Sequence, residues 1–236
     1  MEYLFENILY INLKEREDRN QHVLNEFKKL DITHAERINA NKTKDGAIGC
    51  TMSHIKCLEL AIERNYETVF ICEDDITFTN PNLFKEQIEK FVESDYASDW
   101  DVLVISGNNA PPFTPVSDFV VRVHNIQTTT GYVVRRHYYS KLINNFKEGL
   151  SNLVRNPANK QMYACDVNWK KLQQRDIWYF IIPATVVQYA NYSDVEMRPV
   201  DYEALMKDTE KKWISNLNNP ENLNISQLFA MNRFYM

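Results

Sequence analysis

Glu73, Asp74 and Asp75 stand together in VFICEDDITF (Val69 to Phe78), three consecutive carboxylates directly behind four apolar residues. Carboxylates this close repel one another unless positive charge lies among them, and a divalent cation is the simplest such partner. A solvated acidic turn is the other reading, since surface loops accommodate charge without a ligand. Position in the fold separates the two. Val69, Phe70, Ile71 and Cys72 read as a buried central strand, which sets the triplet at the strand's carboxyl edge, where open α/β sheets bind ligands. If the strand geometry continues, Glu73 and Asp75 share a side at about 6.6 Å and Asp74 faces the other. Mg2+ and Mn2+ are held by one or two protein carboxylates, with phosphate oxygens and water completing the shell. One carboxylate of the pair is then available for the metal and the other for a sugar hydroxyl of a nucleotide.

The elements that must position this triplet alternate between strand and helix, which makes α/β the expected class. NILYINLKEREDRN reads as a strand over Ile8 to Leu13, a charged turn and an amphipathic helix through VLNEFKKL. GAIGCTMSHIKCLELAIERN places Ile48, Met52, Ile55, Leu58 and Ile62 at helical spacing, predicting a helix before the acidic strand. Leu83 to Val92 is a further helix after Pro81, and DVLVIS (Asp101 to Ser106) a strand. GNNAPPF (Gly107 to Phe113), dense in turn formers, reads as a surface loop. Strands follow near Phe119 to Val123 and Gly131 to Val134, then helices in HYYSKLINNF and from Asp166 to Gln173, and a strand, turn and strand in DIWYFIIPATVVQYANYSDV. After Val195 the chain turns polar and Asn-rich. The expected organisation is one domain over 1–195 and a partly helical extension over 196–236, packed by Trp213, Phe229 and Phe234.

Of the 236 residues 44% are hydrophobic and 25% charged, an ordinary globular profile. The formal net charge of -5 argues against a nucleic-acid surface, which needs a basic face. No apolar run approaches the roughly 20 residues that span a bilayer, and no leader is visible, so a cytoplasmic protein, at most peripheral to a membrane, is expected. Cys50, Cys57, Cys72 and Cys165 lack CxxC spacing and read as reduced packing residues.

Five segments in order, NILYINLKEREDRN, GAIGCTMSHIKCLELAIE, VFICEDDITF, TTTGYVVRR and PATVVQYANYSDV, resemble glycosyltransferase family 25, the group of lipooligosaccharide and procollagen galactosyltransferases. The resemblance runs from about Asn7 to Asp194. It implies a GT-A-type fold with a mixed, mostly parallel central sheet flanked by helices, a UDP-galactose or UDP-glucose donor, Mn2+ or Mg2+, inversion at the anomeric carbon, and a hydroxyl of a glycan or protein as acceptor. On this resemblance Asp75 is the leading metal ligand, and Glu73 a metal or ribose contact with Asp74 beside it on the donor side. Asn12, Leu13, Arg16 and Arg19 lie beyond the first strand, where guanidinium groups suit a diphosphate; a solvated first helical turn is the other reading. Gly49, Ser53 and His54 line the donor pocket by the same comparison, His54 as a hydrogen-bonding group. Thr129, Thr130, Gly131 and Tyr132 resemble the stretch before a strand that contacts donor or acceptor sugar, although threonine and tyrosine also simply favour strands.

Inverting transfer needs a base for the acceptor hydroxyl. Asp166, in YACDVNW, resembles the family's late acidic residue and is the expected base, with a helix N-cap as its structural alternative. Gln188, Ser193 and Asp194 match the closing segment, Asp194 being the next carboxylate considered as base. Many GT-A enzymes offer a late histidine to the metal; here none follows His137, and Gln188 stands nearby as the candidate second ligand. The alternative function is a catalytically idle member of the fold that binds nucleotide sugars or a partner. A nucleotidyl or phosphoryl transferase using the same carboxylates is disfavoured by the lack of a GxxxxGK[ST] loop.

Overall fold

The computed structural model describes residues 2–216, and the expected packing roles of Phe229 and Phe234 lie outside them. The elements in chain order are β1 (Ile8–Asn12), α1 (Glu17–Lys28), β2 (Glu36–Asn39), α2 (Gly46–Glu63), β3 (Thr68–Glu73), β4 (Ile76–Phe78), α3 (Pro81–Glu93), β5 (Val102–Asn109), β6 (Phe113–Pro115), β7 (Val120–Val123) and β8 (Ile126–Arg135). They continue with α4 (Tyr139–Arg155), α5 (Lys160–Tyr163), α6 (Cys165–Asn168), α7 (Lys170–Gln173), β9 (Trp178–Ile181), β10 (Val186–Gln188), β11 (Asn191–Ser193), β12 (Arg198–Val200) and α8 (Glu203–Lys207).

An eight-stranded sheet in the order β2-β1-β3-β8-β5-β9-β7-β6 forms the centre. It is mixed: β8 runs antiparallel to both β3 and β5, and β7 runs against β9 and β6, while the other strands share one direction. Because β8 enters against its neighbours, its first residues lie at the same edge as the last residues of β1 and β3. Cys72 pairs with Gly131, which brings Thr129 and Thr128 beside Glu73.

Both sheet faces are covered, which explains the unbroken apolar runs of β1 and β3. Leu9, Ile11, Val69 and Ile71 point into one core with Leu58 of α2, Phe146 of α4, Trp169 and Trp178. Ile8, Tyr10, Phe70 and Cys72 alternate into the other, with Val23 and Phe27 of α1, Phe84 and Phe91 of α3, and Trp100. Two small antiparallel sheets complete the edge: β4 pairs with β10 and β11 with β12. Among the described residues no helix is long and apolar enough to cross a membrane, and the four cysteines are free.

Three expected features are corrected. Met52 and Ile62 of α2 are 37% and 44% exposed, whereas Thr51, Ser53 and His54 are buried. The inward face of α2 is polar near the sheet edge because it walls a cavity there, so apolar periodicity misplaces it. Gly107, Asn108 and Asn109 are not a surface loop but the buried end of β5, where Asn108 and Asn109 pair with Gln127 and Ile126. The segment from Asp166 to Gln173 forms two short helices, α6 and α7, rather than one.

Candidate functional site

The ends of β1 and β3 and the start of β8 open into a cavity of about 460 Å³, within the range of small-molecule pockets. The expected residues Asn12, Leu13, Arg16, Arg19, Gly49, Ser53, His54, Glu73, Asp74, Asp75, Asp166, Gln188, Ser193 and Asp194 all line it, although they span most of the described chain.

β3 stops at Glu73, so Asp74 and Asp75 belong to the turn into β4 and the two-apart rule of an extended strand does not place them. Each carboxylate has its own partners instead. Glu73 Oε1 accepts from Thr129 Oγ1 at 2.5 Å and lies 3.4 Å from His54 Nε2. Asp74 accepts from Asn12 Nδ2 at 2.5 Å and from Arg19 Nη1 at 2.8 Å. Asp75 accepts from Gln188 Nε2 at 2.8 Å and lies 3.5 Å from Arg19 Nη1, while its other oxygen has no partner. The solvated-turn reading fails, because Asp74 and Asp75 are buried. The reading of Arg19 as a solvated helical residue fails too. Its guanidinium is buried among the carboxylates and also donates to the carbonyl of Tyr192, so the positive charge the triplet demands is built into the chain.

Burial raises the pKa of Asp75 to about 7, helped by the neighbouring charge of Glu73. Burial raises Asp74 as well, against the pull of Arg19. For Glu73 burial is outweighed by His54, Thr129 and Arg19, and its pKa stays below the usual range. The orphaned Asp75 oxygen, beside a second carboxylate whose charge it repels, suits a hard divalent cation. Asp75 and Glu73 are the residues that would hold it. Gln188 turns its amide nitrogen toward Asp75, so in this arrangement it orients that carboxylate rather than presenting an oxygen to a metal.

Arg16 sits at the cavity wall, donating to Asp18 and, at 2.7 Å, to Asp194. Asn12 fastens Asp74 and also donates to the carbonyl of Arg16, linking the end of β1 to the turn after β3. Ser53 Oγ accepts from the Asn41 backbone N–H and donates to the Gly49 carbonyl, each at 2.8 Å, so its hydroxyl secures the loop after β2. A Cβ on Gly49 would lie 2.2 Å from the Asn41 carbonyl oxygen, so only glycine permits this close approach.

Asp166 lies in the first turn of α6 but is not its cap, a position taken by Ala164. Its Oδ2 accepts from the Thr128 backbone N–H at 3.1 Å. Thr128 has φ 78°, a left-handed conformation unusual for a β-branched residue. Asp166 therefore pins a strained residue at the cavity wall. Asp194, half-exposed, faces the cavity from the turn between β11 and β12.

Thr130, Gly131 and Tyr132 do not reach the cavity. They lie one register too deep in the sheet: Thr130 and Tyr132 are buried, and the space over Gly131 is filled by Ile76 and Phe70. Thr128 and Thr129 take their place, and Tyr132 acts through its hydroxyl on His54 Nδ1 at 2.8 Å. Sequence reasoning also missed Cys50, Cys165 and the loop residues Asn41 to Lys44 in the wall. Two lysines flanking a threonine after a short strand were the available signal for that loop.

The family model described as glycosyltransferase family 25 (LPS biosynthesis protein) matches residues 35–155, just over half of the chain. A putative glycosyltransferase of Haemophilus influenzae is 40% identical over 72 residues, 30% of this chain and 23% of that protein. Procollagen galactosyltransferase 2 of Homo sapiens is 26% identical over 174 residues, 59% of this chain and 27% of the relative. The chain thus matches about a quarter of the length of these curated relatives. Among solved structures, a glycosyltransferase involved in glycosylation of the major capsid of PBCV-1 aligns with TM-score 0.50 at 12% identity, covering 77% of this chain and 92% of the other, a likeness of fold. The mixed sheet with its cavity at the carboxyl edge of β1 and β3 is the GT-A-type arrangement. By the extent of the family match, this chain is a member of glycosyltransferase family 25.

Proposed function

We propose that the chain is an inverting glycosyltransferase that moves galactose or glucose from a UDP-sugar to a hydroxyl of a glycan or protein. The observation that carries this reading is the convergence of Asn12, His54, Glu73, Asp75, Thr129, Asp166 and Asp194, drawn from six separated segments, on one cavity. Residues 1–195 form the transferase unit in this reading, and 196–236 an extension that joins it through β11 and β12.

The donor diphosphate lies toward Arg16 and the carboxylate cluster, and the sugar toward Thr129 and Glu73. Asp166 takes the proton of the acceptor hydroxyl as its oxygen bonds the anomeric carbon and the bond from that carbon to the diphosphate oxygen breaks. Asp75 and Glu73 would hold a divalent cation, which would supply Lewis-acid stabilisation of the departing diphosphate. Arg19 holds Asp74 and Asp75 at fixed positions, and Gln188 holds Asp75 from the other side.

A second reading, nucleotide-sugar binding without transfer or without a cation, is favoured by one feature: Arg19 already neutralises part of the acidic cluster. The deciding experiment is a donor screen for release of UDP from UDP-hexoses with Mn2+ or with EDTA. Turnover only with the metal supports the proposal. Equal turnover in EDTA removes the cation, and a larger thermal stabilisation by CMP or GDP than by UDP removes the donor assignment.

A further inference from the structure

Cys50 and His54 sit one helical turn apart on α2, so both project from one face, and both line the cavity. The Cys50 sulfur, a His54 ring nitrogen and a Glu73 carboxylate oxygen lie within 4.8 Å of one another. His54 is wholly buried; the Tyr132 hydroxyl engages its Nδ1, and its Nε2 has no hydrogen-bond partner. Glu73 Oε1, 3.4 Å from that nitrogen, is instead held by Thr129. A buried polar atom left without a partner is costly and calls for an explanation. An imidazole anchored through one nitrogen while the other points into a cluster of donors is the arrangement of a metal-ligating histidine with its outer-shell support.

We propose that Cys50, His54 and Glu73 form a site for a thiophilic divalent cation of the Zn2+ class, with a fourth coordination position toward the cavity. Thiolate, imidazole and carboxylate are the tetrahedral zinc donors, whereas Mg2+ and Mn2+ prefer oxygen. Bonds of about 2.0–2.3 Å set tetrahedral ligands roughly 3.5 Å apart, a spacing that small side-chain rotations reach from the observed cluster. On binding, the Cys50 thiol proton leaves to solvent as the sulfur–metal bond forms. His54 keeps its one proton on Nδ1, donated to the Tyr132 oxygen, and Nε2 gives its lone pair. The Cys165 thiol, also in the cavity wall, lies beside Cys50 but outside the cluster of three donors, so water takes the fourth position.

Glu73 is shared with the carboxylate site described above. Resting on the proposed function, a cation at Cys50 and His54 draws Glu73 away from the donor, so Zn2+ inhibits transfer where Mn2+ supports it.

The test is titration of the full chain with Co2+, followed by the sulfur-to-metal charge-transfer band and by displacement with Zn2+. One cobalt per chain should bind with this band, Cys50→Ser should lose it, and Tyr132→Phe should keep it with about 10–100-fold weaker affinity, the usual effect of removing outer-shell support. In the unmutated chain Zn2+ should slow alkylation of Cys50, read by mass spectrometry, which keeps the test independent of whether a variant folds. Absence of a thiolate band, an equal band in Cys50→Ser, or unchanged alkylation of Cys50 overturns the site. These readouts need no turnover: binding without transfer would sink the proposed function alone, and transfer without binding would sink this site alone.

Discussion

Replacing Arg19 with methionine leaves the apolar stem roughly in place and removes the guanidinium from between Asp74 and Asp75. The three side chains are 10%, 7% and 2% exposed, so water does little to replace the lost charge. Removing one partner of a buried ion pair costs about 3–5 kcal/mol, because the remaining charge stays buried. Asp74 and the carbonyl of Tyr192 lose a donor and Asp75 its paired cation at once, which puts the expectation for Arg19→Met at the upper part of that range. Urea denaturation followed by fluorescence is the assay, with the loss read as a lower midpoint at unchanged slope. Adding Asp74→Asn, which keeps the shape and deletes one buried charge, should recover part of the loss; contacting residues couple by about 0.5–3 kcal/mol. Mn2+ should stabilise Arg19→Met more than the unmutated chain, since the freed carboxylates gain a cation. A loss under about 1 kcal/mol, the scale of exposed ion pairs, would refute the reasoning and show that the triplet is neutralised by something other than Arg19.

Asp166→Asn keeps an acceptor for the Thr128 N–H, so stability and UDP affinity should persist while transfer falls about 10²–10⁴-fold; Asp166→Ala should in addition lose about 1–3 kcal/mol in a melting experiment, and near-normal turnover of the Asn variant would move the base to Asp194. Asp75→Asn should weaken the Mn2+-dependent part of UDP binding in calorimetry, and equal affinity in EDTA and in Mn2+ would remove the cation from the site. Lys211 is buried, donating to the carbonyls of Asn109, Leu205 and Asp208, and burial lowers its pKa to about 7. Because the unfolded chain holds that proton up to about pH 10.4, the stability difference between the unmutated chain and Lys211→Met should grow as pH rises above about 7, by at most roughly 1.4 kcal/mol per unit, on top of the alkaline fall set by the buried Cys50, Cys57 and Cys72 thiols, which the fold holds protonated.

What the amino-acid order determined by itself was the set of buried strands and the acidic edge. The runs in β1 and β3 are apolar on both faces because helices cover both sides of the sheet, a pattern legible without coordinates. Glu73 to Asp75 follow such a run, so their place at its carboxyl end could be read directly. The partners of these carboxylates could not. Arg19 reaches Asp74 across 55 positions, and Gln188 reaches Asp75 across 113, and neither distance leaves a trace in local periodicity. Only the antiparallel entry of β8 decided that Thr128 and Thr129 face the cavity while Thr130, Gly131 and Tyr132 sink into the sheet, because the first residues of β8 then lie at the carboxyl edge of β3 and those that follow pair deeper along it, Gly131 with Cys72 and Tyr132 with Ile71. The inward face of α2 escaped a hydropathy reading for a related reason: Thr51, Ser53 and His54 are buried through hydrogen bonds made to distant segments and to the preceding turn, not through apolar character. Local chemistry thus placed the charges, and the long-range packing of the sheet chose which groups meet them.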